Sequence, residues 1–143
     1  RAITNLSKLG ERQIVIDCDV LQADGGTRTA AITGGWVALA IAIEKLLLQG
    51  KIETSPLTDQ VAAISCGIHN NQAVLDLDYA EDSTAQADAN FVITSNNQVV
   101  EFQATAEDVP FDKSKFDEMW LLEKKGWAEL FNKQLDATRQ ERP

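Results

Sequence analysis

Residues 22–30 read Gln-Ala-Asp-Gly-Gly-Thr-Arg-Thr-Ala and join a strand-like run to a long apolar run with helical spacing. The adjacent glycines Gly25 and Gly26 let the backbone adopt positive φ angles and approach a ligand closely. A helix that begins here directs its unpaired amides and positive dipole end at the same spot. Thr27 adds a hydroxyl and Arg28 a planar charge that suits phosphate oxygens. The pattern indicates an anion site, or else an ordinary strand-to-helix turn with a surface arginine. It is not a P-loop, because the lysine of that motif is absent.

The elements on either side of this turn follow from hydrophobic spacing. Residues 13–21 alternate with a period of two, which predicts a strand with one buried face. That face comprises Ile14, Ile16, Cys18 and Val20. Residues 29–49 are apolar on nearly all sides, which predicts a buried helix. Its uncharged run is shorter than the ~20 residues that a bilayer span needs, so we expect no membrane partner.

Two hairpins and a terminal helix are predicted downstream. The β-rich runs are residues 60–68, 73–79, 90–94 and 99–104. Their turns contain Asn70-Asn71 and Ser95-Asn96-Asn97, and asparagine tolerates the left-handed conformation of tight turns. An aromatic stripe then predicts a helix over residues 113–136, capped by Asp112 and bent or broken at Gly126. Residues 138–143 are expected to fray.

Length and composition indicate one soluble globular domain. The chain has 143 residues, of which 44% are hydrophobic and 24% charged. Cys18 and Cys66 lie in strand-like runs, so we expect buried thiols in a reducing, cytoplasmic compartment rather than a disulfide. No signal-peptide pattern precedes them. The chain begins at Arg1 without a methionine, which suggests a fragment or a processed piece.

The charge is distributed unevenly. Thirteen basic and 22 acidic residues give a net charge of −9, which by itself argues against a nucleic-acid partner. Residues 52–112 contain no lysine or arginine. Their acidic residues are Glu53, Asp59, Asp76, Asp78, Glu81, Asp82, Asp88, Glu101, Glu107, Asp108 and Asp112. Such a segment is either a solvated face or a binding region for a divalent cation, and a phosphate site nearby would favour the cation. His69, the single histidine, is assigned no role.

Residues 17–30, Asp-Cys-Asp-Val-Leu-Gln-Ala-Asp-Gly-Gly-Thr-Arg-Thr-Ala, followed by Ile32-Thr33-Gly34, closely resemble the signature of the bacterial RNase PH family. Similar blocks follow in the same order at residues 61–68, 75–83, 100–107 and 110–111. The resemblance implies an α/β (α+β) fold of the RNase PH type, similar to ribosomal protein S5 domain 2. A mixed sheet would be packed by the central helix and the terminal helix. Residues 1–143 would form a single domain corresponding to the carboxyl-terminal half of the family's chain, with residues 112–143 as terminal helix and tail.

The same resemblance implies a phosphate-dependent 3′-to-5′ exoribonuclease that acts on tRNA and rRNA precursors and releases nucleoside diphosphates. Gly26, Thr27 and Arg28 would hold the inorganic phosphate co-substrate. Asp82 and Asp88 would bind the catalytic Mg²⁺, while Asp76 and Asp78 would be supporting or structural.

The family's amino-terminal half supplies a further phosphate-binding arginine and most of the basic RNA-contacting residues. That half is outside this sequence, so the chain alone is expected to bind RNA poorly. The family assembles into rings of six subunits, which implies a homo-oligomer. Two alternatives remain open: a non-catalytic remnant or assembly subunit, and a small phosphate-binding or metal-dependent phosphohydrolase domain.

Overall fold

Four helices and four strands form the part of the chain that the computed structural model describes, residues 1–107 and 109–140. The helices are α1 (Leu6–Leu9), α2 (Thr27–Leu48), α3 (Tyr79–Asp82) and α4 (Lys113–Gln140). The strands are β1 (Val61–His69), β2 (Gln72–Leu75), β3 (Ala87–Thr94) and β4 (Val99–Ala106).

The strands form one sheet in the order β2-β1-β3-β4, and every pairing is antiparallel. The described sheet is therefore antiparallel and not mixed as predicted, because its neighbouring strands are joined as hairpins or run in opposite directions. Both predicted hairpins are confirmed, although the strand predicted at residues 73–79 ends at Leu75. Asn70 and Asn71 have φ angles of 50° and 61°, and Asn97 has a φ angle of 60°. Asparagine makes these left-handed turns possible because its short polar side chain tolerates that conformation.

One face of the sheet packs against α4. Alternate residues of β1 and β3 supply this face, and Met119 and Trp127 of α4 cover it. Phe91 lies at its centre, with its ring centroid 4.6 Å from that of Phe102 and 5.7 Å from that of Trp120. Each aromatic pair of this kind contributes roughly 0.5–1.5 kcal/mol beyond the buried area. The predicted α/β class, with the terminal helix on the sheet, is confirmed.

Helix α2 covers the edge of β1 that β2 leaves open. The Thr33 hydroxyl accepts from the Ala63 amide at 3.0 Å and donates to the Ala63 carbonyl at 3.1 Å. The Gln134 side-chain amide of α4 donates to the carbonyls of Val61 and Thr33, both at 2.9 Å. These side chains satisfy backbone groups that would otherwise remain unpaired at the edge. The contacts fix α2 beside β1.

The prediction that α2 is covered on most sides is wrong. Within α2 only Thr29, Trp36 and Ile43 are buried. The helix packs on β1 and α4, and Ile43 also packs with Leu9 and Ile52 in a second core cluster, but most of its other residues keep part of their surface exposed. The helix itself, predicted over residues 29–49, is confirmed as α2 with 22 residues. Among the described residues, α2 is the one helix that is long and apolar enough to cross a membrane, judged by length and composition alone. Core helices of soluble proteins meet the same criterion.

The strand predicted at residues 13–21 is not formed. The segment has no regular secondary structure and pairs with no strand of the described chain, because it lies along α2 and not beside β2 or β4. The Cys18 thiol points to the Ala31 carbonyl of α2 at 3.8 Å. Of the four residues predicted for a buried face, Ile16, Cys18 and Val20 are exposed, and only Ile14 is half-buried against the second core cluster. Cys66 is buried, and the two thiols are unpaired.

The terminal helix begins where predicted and continues further. The Asp112 carboxylate accepts from the amides of Ser114 and Lys115, as expected of its cap. Helix α4 runs without interruption through Gly126, where a side chain would come within 2.4 Å of Ile64. This glycine therefore serves close packing and does not bend the helix. Residues 138–140 are helical, contrary to the expected fraying, whereas residues 141–143 and Asp108 lie outside the described residues.

Candidate functional site: a cavity at the start of α2

The glycine corner is packed directly on the backbone that precedes α3. A Cβ atom on Gly25 would lie 1.9 Å from the Leu77 carbonyl oxygen, so only glycine fits there. The Asp24 carboxylate accepts from the amide of Gly25 at 2.9 Å and from that of Tyr79 at 2.7 Å. Asp24 thus ties the corner to the start of α3.

The first turn of α2 lacks a side-chain cap. Gly26 is the N-cap residue with a φ of 70°, and no side chain accepts from the amides that follow it. The first backbone bond of the helix runs from the Ala30 amide to the Gly26 carbonyl at 2.9 Å. The earlier amides carry the positive end of the helix dipole, and Gly26, Thr27 and Arg28 line a cavity at this end. An anion is the ligand that such an end prefers.

Arg28 brings a full positive charge to the same end of the helix. One guanidinium nitrogen, Nη2, lies 2.6 Å from a carboxylate oxygen of Glu101 on β4. The two side chains are 48% and 44% exposed, so this ion pair contributes at most about 1 kcal/mol. The guanidinium has five N–H donors, and the pair with Glu101 leaves donors available for a second anion.

Two carboxylates reach the cavity from different elements. Asp82 ends α3, and α3 is held by a capping box between Asp78 and Glu81. Asp88 lies on β3, two residues before Asn90, so both side chains are on one face of the sheet. Within residues 1–107 and 109–140, neither Asp82 nor Asp88 forms a side-chain hydrogen bond or ion pair.

The five residues predicted from the sequence as the site share one cavity of about 150 Å³. They are Gly26, Thr27, Arg28, Asp82 and Asp88. These residues lie up to 62 positions apart in the sequence, from Gly26 to Asp88. The packing of α2 and α3 on the sheet brings them together in space. The structure thus brings the glycine corner and both aspartates together, and what each of them binds remains a prediction.

The cavity suits a metal that needs few protein ligands. No group of three or more histidine, cysteine or acidic side chains in the described residues could hold an ion by itself. Mg²⁺ is commonly bound by one or two carboxylates together with substrate phosphates and water. Asp82 and Asp88, which have no side-chain partner among residues 1–107 and 109–140, fit that donor set.

Several predicted acidic residues have structural roles outside the cavity. Asp78 caps α3, and Asp76 occupies a left-handed position with a φ of 57° at the end of β2. Asp59 accepts hydrogen bonds from Ser95 and Asn96 and so anchors the turn between β3 and β4. Burial opposes a lowered pKa for Asp59, but these hydrogen bonds outweigh it and lower the pKa.

Three residues of this site were not predicted. Ser65 on β1 faces the cavity opposite Asn90 on β3, and Glu101 on β4 holds Arg28. Ser65 is the lone hydroxyl within the apolar run of residues 61–68, and that contrast is the signal that could have identified it. Glu101 is 73 residues from Arg28, and no local pattern indicates their contact.

Fold and cavity together define the class: an α/β domain that presents a helix amino terminus, an arginine and two carboxylates to one hollow. The sequence matches both domain models of one known protein family, in the order domain 1 and then domain 2. Residues 1–43 match domain 1 of the 3′ exoribonuclease family, and residues 59–123 match domain 2 of that family.

Curated relatives named ribonuclease PH are similar over nearly all of the chain. The Caulobacter vibrioides protein is 56% identical over 131 residues, which are 92% of this chain and 55% of the relative. The Rhodospirillum rubrum protein is 59% identical over 130 residues, 91% of this chain and 54% of the relative. The chain therefore belongs to the 3′ exoribonuclease family and is RNase PH-like. It spans little more than half the length of these relatives.

Solved structures share the fold. A crystal structure of rice (Oryza sativa) Rrp46 has a TM-score of 0.56 at 20% identity, covering 84% of this chain and 49% of that chain. An Archaeoglobus fulgidus exosome with RNA bound to its active site has a TM-score of 0.51 at 20% identity, covering 69% and 39%. At this identity the likeness concerns the fold alone.

Proposed function

We propose that the protein to which this chain belongs is a phosphate-dependent 3′-to-5′ exoribonuclease that trims tRNA precursors. The observation that carries the proposal is the shared cavity, in which Gly26, Thr27 and Arg28 lie with Asp82 and Asp88. Membership of the 3′ exoribonuclease family supports it. The positive helix end with Arg28 suits one phosphate, and the carboxylates suit a cation beside it.

The reaction would be phosphorolysis. An oxygen of inorganic phosphate attacks the phosphorus of the 3′-terminal nucleotide, and the bond from that phosphorus to the preceding O3′ breaks. The electron pair of that bond and a proton end on O3′. The products are a nucleoside diphosphate and an RNA shortened by one nucleotide. Because phosphate itself is the nucleophile, the protein needs to supply no nucleophilic side chain.

The main barrier to this reaction is the approach of one anion to another. Amides at the start of α2 and the Arg28 guanidinium are fixed donors that would hold phosphate oxygens and offset their charge. Thr27 adds its hydroxyl to this set. The packing of Gly25 on Leu77 keeps the corner in one conformation, so little reorganisation is needed when phosphate binds.

Asp82 and Asp88 would hold Mg²⁺ in this proposal. Both carboxylates lie on the wall of the same cavity and have no partner in the described part of the chain, and these observations support that role. A bound Mg²⁺ would neutralise charge on the phosphate oxygens. Without a cation, these carboxylates would repel the incoming phosphate.

We propose an RNA partner and assembly into a ring of subunits on the same basis. The free thiols of Cys18 and Cys66 support a proposed location in a reducing, cytoplasmic compartment. Two structural neighbours are archaeal exosome assemblies, one of them with RNA at its active site. The net charge of −9 implies that this chain alone attracts RNA weakly, since phosphate backbones bind lysine and arginine. The RNA-binding charge would therefore come from elsewhere in the protein or from neighbouring subunits.

Product analysis tests the proposal. A labelled RNA with a tRNA-like 3′ end is incubated with Mg²⁺, with and without inorganic phosphate. Nucleoside diphosphates that form only with phosphate support phosphorolysis. Nucleoside monophosphates would identify a phosphohydrolase, and the absence of product from the complete protein would identify a non-catalytic remnant; either result contradicts the proposal.

A further inference from the structure

Ser65 is a buried hydroxyl without a partner at the floor of the cavity. Its relative exposure is 8%, and its Oγ has no hydrogen-bond partner in the described part of the chain. An unpaired buried polar group costs free energy, so one that a fold retains calls for an explanation. The other buried polar groups on this side of the sheet, Thr29 and Thr94, both form hydrogen bonds.

Ser65 Oγ lies at the start of α2 beside the Thr29 hydroxyl, with a carboxylate oxygen of Asp76 farther from the same corner, 3.9 Å from the position of a Cβ atom on Gly26. The Oγ atom lies 3.2 Å from the position that a Cβ atom on Gly26 would occupy, so it faces the start of α2. The Thr29 hydroxyl nearby already donates to the Gly26 carbonyl at 2.8 Å. Ser65 is therefore the hydroxyl left over beside the uncapped amides of α2, and Arg28 lines the same cavity.

We propose that Ser65 is a further phosphate-binding residue, whose hydroxyl donates to an oxygen of the inorganic phosphate held at the start of α2. This inference rests on the proposed phosphate site and adds to it a ligand from the sheet. A strand position is rigid, because β1 is paired on both sides at Cys66, next to Ser65. Ser65 would thus fix the rotational orientation of the bound phosphate. The amides of α2 and the flexible Arg28 side chain alone would not fix it.

The identity of the ligand follows from what converges on it. Amide, hydroxyl and guanidinium groups are all donors, which select an oxyanion over a cation at this end of the cavity. The cavity volume of about 150 Å³ is well above the roughly 10–15 Å³ that one water molecule requires on the same measure, so a group of phosphate size can enter. A phosphodiester of RNA offers the same oxygen chemistry, so the test must separate the two sources.

Titrations followed by the amide chemical shifts of residues 26–28 test the inference on the complete protein, as in the product analysis above. The unchanged protein, Ser65→Ala, Ser65→Cys and Arg28→Ala are each titrated with inorganic phosphate, with a ribodinucleotide and with Mg²⁺ alone. Ser7→Ala, an exposed serine in α1, is the matched control. We expect saturable shifts at residues 26–28 with phosphate, and a Kd raised roughly tenfold by Ser65→Ala and less by Ser65→Cys. Thermal unfolding adds a second readout, since Ser65→Ala removes an unpaired hydroxyl and should leave Tm unchanged or higher.

The possible outcomes distinguish a failure of the Ser65 assignment from a failure of the proposed phosphate site. An unchanged phosphate Kd in Ser65→Ala, with phosphate binding lost in Arg28→Ala, overturns the role of Ser65 and leaves the phosphate site intact. A loss confined to the dinucleotide or to Mg²⁺ also overturns it. No phosphate-dependent shift in the unchanged protein would contradict both the role of Ser65 and the phosphate site.

Discussion

Gly25 shows how one residue positions the site. Its Cα packs so closely on Leu77 that any side chain would overlap the Leu77 carbonyl oxygen. We predict that Gly25→Ala displaces the corner and lowers the free energy of unfolding by roughly 1–3 kcal/mol. Urea denaturation measures the change.

Gly34 provides the matched control on α2. Nothing lies within 4 Å of a Cβ atom there, and the residue is in the helix interior. Gly34→Ala should stabilise the chain by up to about 1 kcal/mol through helix propensity. Equal effects of the two substitutions would show that the corner does not require glycine.

Arg28 carries the permanent charge that the proposed phosphate would meet. Because a hydrogen bond to a charged group contributes roughly 1.5–3 kcal/mol, Arg28→Ala should raise the phosphate concentration needed for half-maximal phosphorolysis about 10- to 100-fold in the complete protein. Arg139→Ala at the end of α4 should have no effect, since that arginine pairs with Asp136 on the surface. Phosphate dependence unaltered by Arg28→Ala would refute the assignment.

Asp88 is the proposed metal ligand on the rigid part of the fold. Asp88→Ala should abolish Mg²⁺-dependent turnover in the complete protein, because a single carboxylate on the short helix α3 would remain. Asp117→Ala, which removes a surface partner of Lys113, is the control. Initial rates over a range of Mg²⁺ concentrations measure the effect, and wild-type rates in Asp88→Ala would exclude this ligand.

Among the elements, α4 carries a buried acid on the face that covers the sheet. Glu123 is 0% exposed, and neither carboxylate oxygen has a partner of normal hydrogen-bond geometry in the described chain. Burial raises the pKa of Glu123 to about 8, and the neighbouring Cys66 thiol opposes that rise. Burial also raises the pKa of that thiol, as does the charge of Glu123.

The raised pKa of Glu123 makes stability depend on pH. Between the ordinary value of 4.5 and about 8, the folded chain keeps a proton that the unfolded chain releases. The contribution of this group is therefore fully present below pH 4.5 and is lost as pH rises to about 8, by up to roughly 1.4 kcal/mol per pH unit. Glu123→Gln should remove this slope in urea denaturation at pH 5, 6.5 and 8.

Glu129 on the same helix is the matched control. Its carboxylate is exposed and pairs with Lys133 at 2.8 Å, and that contact lowers its pKa. Glu129→Gln should leave the slope between pH 5 and 8 as it is. An identical slope in the unchanged chain and in Glu123→Gln would show that the buried acid does not titrate in this range.

The elements also show what could be predicted from the sequence. Hairpins and α4 were predictable because asparagine turns and an aromatic stripe are local features. The strand predicted at residues 13–21 was wrong because the prediction rested only on alternating polar and apolar side chains. A strand also needs a neighbouring strand for its backbone hydrogen bonds, and the side-chain pattern does not show whether one is present. The four-residue helix α3 is too short to leave a periodic pattern. Ser65 and Glu101 depend on long-range contacts. The glycine corner was indicated by its own residue pattern, whereas the two aspartates were identified through a family resemblance.

For the whole molecule, the fold converts three distant segments into one site. Residues 24–28 come from the start of α2, Asp82 from α3 and Asp88 from β3, and the cavity lies where these elements meet. The backbone edge of β1 is satisfied by Thr33 and Gln134, which hold α2 and α4 against the sheet. The stability of the site therefore depends on packing that lies well away from it.

Paramagnetic relaxation by Mn²⁺, added together with phosphate, tests this juxtaposition most directly. If Asp82 and Asp88 hold the ion beside the glycine corner, amide signals of residues 26–28 should broaden together with those of Asp82 and Asp88. Signals of the turn at residues 95–97 should stay sharp, and Asp82→Asn with Asp88→Asn should abolish the selective broadening. Broadening around the two aspartates that leaves residues 26–28 sharp, or no selective broadening at all, would contradict a shared phosphate and metal site.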